Sequence, residues 1–305
     1  MKARLTHGSL FAGIGGFDIG FEQAGFKVKW QVEINPVLRA VLADRFPRSA
    51  QYADVCSCGS HNLEAVDCIT AGFPCQDLSS MGSLSERRGL QGERSGLFWE
   101  AIRIFREVQP RWVVLENVTG LLYCNDGRDM QTVIEALAGC GYLGFWRVLN
   151  AQYFGVPQNR RRVFLVAGLG RYPTFEFLAD AGSVEALPIS AEKIEVLRHE
   201  AAFAGNTLTA RNNSTRIGLG CEVLVAEENG WRQMADRQRG IEVHGLPTGL
   251  DDANVLATYA AGNAVVPAVA RWIAEKVLMS NMKAEADRNR WTSEISRQSS
   301  VQRPG

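Results

Sequence analysis

Two hydrophobic periods alternate along the first 170 or so residues. Short apolar runs of strand length are separated by stretches whose apolar side chains recur at helical spacing. LTHGSLFAG reads as a strand entering a glycine turn. GGFDIGFEQAGF reads as a helix with Phe17, Gly20, Phe21 and Ala24 on one face. KVKWQVEI is a second strand, and PVLRAVLADRFP a helix opened by Pro36. AVDCITAGF is a third strand, followed by the helix SGLFWEAIRIFREVQP, with Leu97, Ile102 and Phe105 near helical spacing and Pro110 as its stop. RWVVLENV is a strand, MQTVIEALAGCGY a helix ended by glycine, and RRVFLVAGL a strand. This alternation predicts an α/β fold, a doubly wound and mostly parallel sheet. Such sheets bind ligands beyond the carboxyl ends of their strands. Gly13, Glu33, Cys75 and Glu116 all fall at predicted strand ends, so one edge of the sheet should collect them.

The pattern weakens between residues 171 and 256, where TLTARNNSTRIGLG and WRQMADRQRG are rich in Arg, Asn, Thr and Gln. Residues 1–170 therefore read as the main domain and 171–256 as a small irregular one. ATYAAGNAVVPAVARWIAEKVL restores a clear turn and helix over residues 257–280, and the polar residues 281–305 are expected to form a disordered tail. Composition narrows the setting. The chain has 305 residues, seven cysteines without paired spacing and a formal net charge of +0. Reduced thiols point to the cytoplasm. No apolar run is long enough to span a membrane, and the N-terminus lacks the apolar region of a signal peptide. Neutral net charge argues mildly against nucleic-acid binding but leaves a local basic face open.

The spacing Gly13-x-Gly15-Gly16 is not that of a dinucleotide fingerprint, because Asp18 stands at the third glycine position. Glu33, twenty residues after Gly13, is placed to bind the ribose hydroxyls of a nucleoside cofactor; the alternative is a tight turn and a surface glutamate. Cys68, Cys140 and Cys221 read as small core residues. Cys75 differs, because it follows Pro74 at a strand end. The glycine-rich stretch after it has the length of a lid, and its Arg87, Arg88 and Arg94 could meet phosphate. Glu116 closes the LENV strand, as a site acid or as a capping or salt-bridged one. Arg160 and Arg162, two apart, face one side, as site residues or as an edge charge pair. Cys56, Cys58 and His61 lack a second cluster at zinc spacing, so no metal is expected.

Together these motifs resemble the cytosine-C5 DNA methyltransferases of bacterial or phage type. The match covers most of residues 6–279 through FAGIGGFDIGFEQAG, GFPCQDLS, ENV, QNRRR and GNAVVP in family order. The resemblance implies a Rossmann-like, S-adenosylmethionine-dependent methyltransferase with a small target-recognition domain. It implies that Cys75 attacks C6 of a flipped-out cytosine and that Glu116 contacts the base edge and aids protonation at N3. Arg162 would sit near the cysteine and the base, with Arg160 beside it. Phe11, Gly13 and Gly15 would shape the S-adenosylmethionine pocket, and Glu33 would hold the ribose. Ile34 would pack on the adenine, Asp54 would bond its amino group, and Pro74 and Asn263 would flank the methionine end. Arg211, Asn212, Asn213 and Arg216 are base or phosphate readers, or else a solvated loop. The implied partner is double-stranded DNA, read by a monomeric, nucleoid-associated enzyme of the restriction-modification kind. HGLP stands where the family has Gln-Gly-Phe-Pro, and QMADRQRG replaces its usual basic lead-in. The alternatives are a DNA-binding homologue with weak catalysis and an RNA cytosine methyltransferase.

Overall fold

The computed structural model describes residues 4–73, 97–156, 158–174, 177 and 263–286 with their side chains, and the backbone alone of 205–206, 224–227, 230–233 and 287–301. Seven strands form the central sheet: β1 (Thr6–Leu10), β2 (Lys27–Val32), β3 (Ala50–Tyr52), β4 (Cys68–Ala71), β5 (Trp112–Val118), β6 (Tyr142–Asn150) and β8 (Arg161–Leu169). β7 (Gln158–Asn159) pairs outside it with β9 (Gly205–Asn206), and β10 (Leu224–Glu227) pairs with β11 (Gly230–Gln233). The helices are α1 (Gly16–Gln23), α2 (Pro36–Arg45), α3 (Leu97–Val108), α4 (Arg128–Ala138) and α5 (Pro267–Val301).

The strand order is β3-β2-β1-β4-β5-β8-β6, and β8 alone runs against the other six. The expected doubly wound, mostly parallel sheet is therefore present. Its chain order reverses between β1 and β4, the place where such sheets open a ligand crevice. β4 is buried at all four positions because helices cover both faces. Ile69, Val113 and Leu115 pack with Phe98, Ile102 and Phe105 of α3 and Val133 and Leu137 of α4. On the other face Cys68, Val114 and Phe164 pack with Phe17 and Phe21 of α1 and Val269 and Ile273 of α5. Two glycines admit α5. A Cβ at Gly16 would lie 2.0 Å from the Val265 carbonyl oxygen, and one at Gly20 would lie 2.5 Å from the Ala270 Cβ.

β3 and β6 are not apparent in the sequence. β6 is an edge strand whose Leu143 and Trp146 are exposed, so no alternation of apolar and polar positions announces it. The tail expectation needs correction: α5 does not stop near residue 280 but continues to Val301. The stretch after 280 holds good helix formers, with no proline or glycine before Pro304, and Asn281 Nδ2 donates to Glu285 one turn on.

A polar cluster sits in the middle of this apolar frame. Ser9 donates to Asp18 at 2.9 Å, His7 Nε2 lies 2.9 Å from Thr70 Oγ1, and the His7 ring stacks on Phe21. His7 and Asp18 are both fully buried. Burial pushes His7 down to about 3. It raises Asp18 to about 7 against the opposing hydrogen bonds from Ser9 and Gln31.

Candidate active site

The first group of predicted residues lies beyond the carboxyl ends of β1, β2 and β3. Phe11 leaves β1 at φ 57, a left-handed conformation that is costly for a residue with a Cβ. Gly13 follows at φ +58, and a Cβ there would meet nothing within 4 Å, so the turn faces open space. Gly15 takes φ 86 as the residue before α1. Glu33, immediately after β2, bridges this turn to the next: Oε2 accepts from Gly13 N at 2.8 Å and Oε1 from Asn35 N at 2.9 Å. Arg39 Nη1 donates to the carbonyls of Glu33 and Ile34, both at 2.7 Å, and fixes the chain between them. Ile34 is 75% exposed, an apolar side chain held out at a rigid turn. Asp54 is exposed beyond β3, and its Oδ1 accepts from Cys56 N at 2.9 Å.

These residues fit S-adenosylmethionine. Each Glu33 oxygen accepts one backbone N–H and retains a lone pair for a ribose hydroxyl. Ile34 offers an apolar face to an adenine, Asp54 an acceptor to its amino group, and Gly13 room for close approach.

The second group lies at β4, β5 and the start of β8. Glu116 sits within β5, two residues before its end, and is 7% exposed. Antiparallel pairing sets Val118 opposite Arg162, and Arg162 Nε stands 3.2 Å from Glu116 Oε1. The contact is an ion pair without hydrogen-bond alignment, since Oε1 has no hydrogen-bond partner. Arg160 is 4% exposed. Burial and the neighbouring Arg162 bring it down to about 9, with Glu116 opposing. The two arginines share a face as expected, although Arg160 precedes the strand and Arg161 turns outward.

β4 delivers the chain to this group. A Cβ at Gly72 would lie 3.5 Å from Glu116 Oε2, and Phe73 lines a small cavity together with Leu115, Glu116 and Asn117. Pro74, Cys75, Arg87, Arg88, Arg94, Arg211, Asn212, Asn213 and Arg216 themselves lie outside the described residues. Asn263 is described and exposed, just before the turn that packs on Gly16.

Sequence reasoning missed the left-handed Phe11, for which no local signal exists. It also missed Asn35, whose side chain caps α2 by accepting from Val37 N and whose place before Pro36 could have revealed it. Among the described residues no three His, Cys, Asp or Glu side chains gather as a metal group, and no helix is long and apolar enough to cross a membrane.

A family model described as C-5 cytosine-specific DNA methylase matches residues 5–198. The type II methyltransferase M2.BsuMI of Bacillus subtilis (strain 168) is 36% identical over 169 residues, 54% of this chain and 42% of that one. The type II methyltransferase M.Bsp6I of Bacillus sp. (strain RFL6) is 35% identical over 178 residues, 57% of this chain and 56% of that one. The chain thus spans about half the length of the curated relatives it matches. The Dnmt2 methyltransferase of S. pombe superposes with a TM-score of 0.60 at 17% identity, covering 89% of this chain and 98% of that one, a likeness of fold.

Proposed function

Because the chain belongs to the C-5 cytosine-specific DNA methylase family, we propose that it methylates C5 of a flipped-out cytosine in a short duplex DNA site. The observation that carries this reading is the meeting of three elements. The chain leading to Cys75 passes Glu116 at Gly72, and Glu116 is paired with Arg162.

S-adenosylmethionine, when bound at the Glu33 turn, supplies the methyl group as an electrophile. The protein's part is to make C5 nucleophilic. Cys75, as thiolate, adds its sulfur to C6, and the ring electrons become available at C5. Glu116 holds the N3 edge of the base and shares a proton with it as charge develops there. Arg162 orients the Glu116 carboxylate, and the buried Arg160 beside it keeps the site electropositive, which favours the thiolate. After transfer, loss of the C5 proton to a base and expulsion of the Cys75 sulfur restore the aromatic ring and the free enzyme. Extruding the base costs a few kcal/mol, which pocket contacts offset.

Residues 1–170 are read as the catalytic and cofactor domain and 171–256 as the target-recognition domain, with α5 (Pro267–Val301) returning the chain to the catalytic domain. Arg87, Arg88, Arg94, Arg211, Asn212 and Arg216 are assigned to DNA, and Pro74 and Asn263 to the methionine end of the cofactor. The protein acts as a cytoplasmic, nucleoid-associated monomer. The test is expression in cells that lack cytosine methylation, with their DNA read for 5-methylcytosine and its flanking sequence. Methylation at one short motif, absent in Cys75→Ala, is expected. Unmethylated DNA from folded protein would overturn the reading and favour a DNA-binding homologue; methylated RNA alone would redirect it to RNA.

A further inference from the structure

Asn150 closes β6 and stands beside the loop that returns the chain to β8. Its side chain ties the two ends of that loop together. Oδ1 accepts from Arg160 N at 3.0 Å and from Gln152 N at 3.4 Å, and Nδ2 donates to Asn159 Oδ1 at 2.9 Å. The backbone reinforces the same point, with Ala151 N donating to Arg160 O at 3.0 Å. The loop spans residues 151–160, and its far end carries Arg160 and, two residues on, Arg162. The Arg160 amide also donates to Gln158 O at 2.9 Å, a contact within the loop itself.

We propose that Asn150 is a positioning residue: by fixing the backbone at Arg160 it sets where the Arg160 and Arg162 guanidinium groups stand relative to Glu116. The inference rests on the reading of Glu116 and Arg162 as groups that meet the reacting base. Small displacements matter there, since a shift of about 1 Å in a catalytic group costs roughly 10²-fold in rate. Asn150 itself touches neither the base nor the cofactor in this scheme. Aspartate keeps the acceptor that holds Gln152 and Arg160, loses the donor toward Asn159 and adds a negative charge, so Asn150→Asp should restore the backbone anchoring that Asn150→Ala removes.

The two variants are compared with the wild-type chain in two arms. The first needs no activity: amide hydrogen exchange at Gln152 and Arg160, and the NMR resonance of Arg162 Nε–H. In Asn150→Ala exchange should accelerate at both amides and the Nε–H resonance should move toward that of a solvated arginine, while Asn150→Asp keeps the wild-type values. The second arm measures the kcat and pH–rate profile of DNA methylation. Asn150→Ala should lower kcat by roughly 10- to 10²-fold and displace a limb of the profile, with KM for S-adenosylmethionine unchanged. Asn150→Asp should recover most of the rate. An unmoved Arg162 resonance in Asn150→Ala would overturn the proposal, as would equal losses in both variants. A wild-type chain that leaves DNA unmethylated would instead sink the reading of function, with the positioning claim still decided by the first arm.

Discussion

His7 and Asp18 in the middle of the sheet, and Glu116, Arg160 and Arg162 at its edge, are all charge-bearing side chains held away from water, and they meet that cost differently. The inner pair sheds its charge. Burial lowers His7 to about 3 and raises Asp18 to about 7, so at mildly acid pH both are neutral. Their closest approach, His7 Nδ1 to Asp18 Oδ1, is 3.7 Å, too long for a hydrogen bond, and neutrality spares them an exacting geometry. At the edge Arg160 keeps its charge, because a guanidinium holds its proton even where burial brings it down to about 9. The Glu116 carboxylate is paired to Arg162, yet Oε1 has no hydrogen-bond partner. Where a cluster only supports the fold, burial neutralises it. Charge that persists in an opening beside a strand end is a candidate for use by a ligand, and that is the reading the proposed function makes of Glu116 and Arg162.

Exchanging the two behaviours is the hardest test of this contrast. Glu116→Gln retains the shape of the side chain and removes the ionisable group. A fall in methylation rate of roughly 10²- to 10⁴-fold is expected, the usual share of a general acid, with a thermal midpoint close to wild type. A large loss of stability with little loss of rate would place Glu116 with the structural cluster instead. Asp18→Asn should do the reverse: kcat should hold, and the effect should fall on folding and its pH dependence.

The sequence foretells one of these clusters far better than the other. Glu33 and Glu116 each close an apolar run and Gly13 follows another, so strand-helix alternation alone brings these three to the edge. Arg160 and Arg162 reach it only because β8 runs antiparallel, so that its beginning, not its end, lies beside Glu116. Periodicity carries no direction, and their family motif stood in for it. The inner cluster was hidden for a related reason. His7 and Ser9 occupy strand positions where polar residues usually face solvent, and only helix packing on both faces buries them. Asn150 was equally silent, because its role depends on a return of ten residues that local spacing does not encode.

Stability against pH separates the clusters by a signature of moderate size. Asp18 binds its proton more tightly in the fold than at its ordinary 3.8, so its contribution is lost as pH rises from about 3.8 to about 7. His7 binds its proton less tightly than at its ordinary 6.5, so its contribution is lost as pH falls from 6.5 toward about 3. Between about 3.8 and 6.5 the unfolded chain carries one proton on the histidine and the folded chain one on the aspartate, so the two slopes cancel. Chemical denaturation across pH 4 to 6.5 should find this pair contributing no slope in wild type. Asp18→Asn should add a rising slope and His7→Gln a falling one, each approaching about 1.4 kcal/mol per pH unit. Equal profiles in all three proteins would show that folding transfers no proton between the two residues.

The smallest expected effect concerns the other half of the edge. Ile34 is 75% exposed on a turn fixed by Arg39 and Glu33, so the fold gains little from its side chain. If the turn is built to receive an adenine, the apolar surface is covered only when the cofactor binds. Ile34→Ala should then leave the thermal midpoint of the free protein within its usual scatter for a surface change. It should weaken S-adenosylmethionine binding by about 1 kcal/mol, roughly fivefold in Kd, as expected for partial burial of the lost methylene and methyl groups. Calorimetric titration with S-adenosylhomocysteine reads this without any DNA. An unchanged Kd would mean that the ligand does not cover Ile34, and the apolar part of the cofactor site would have to be sought elsewhere along the β1–β4 crevice. A lowered thermal midpoint would instead return Ile34 to the supporting frame, on the same footing as His7 and Asp18.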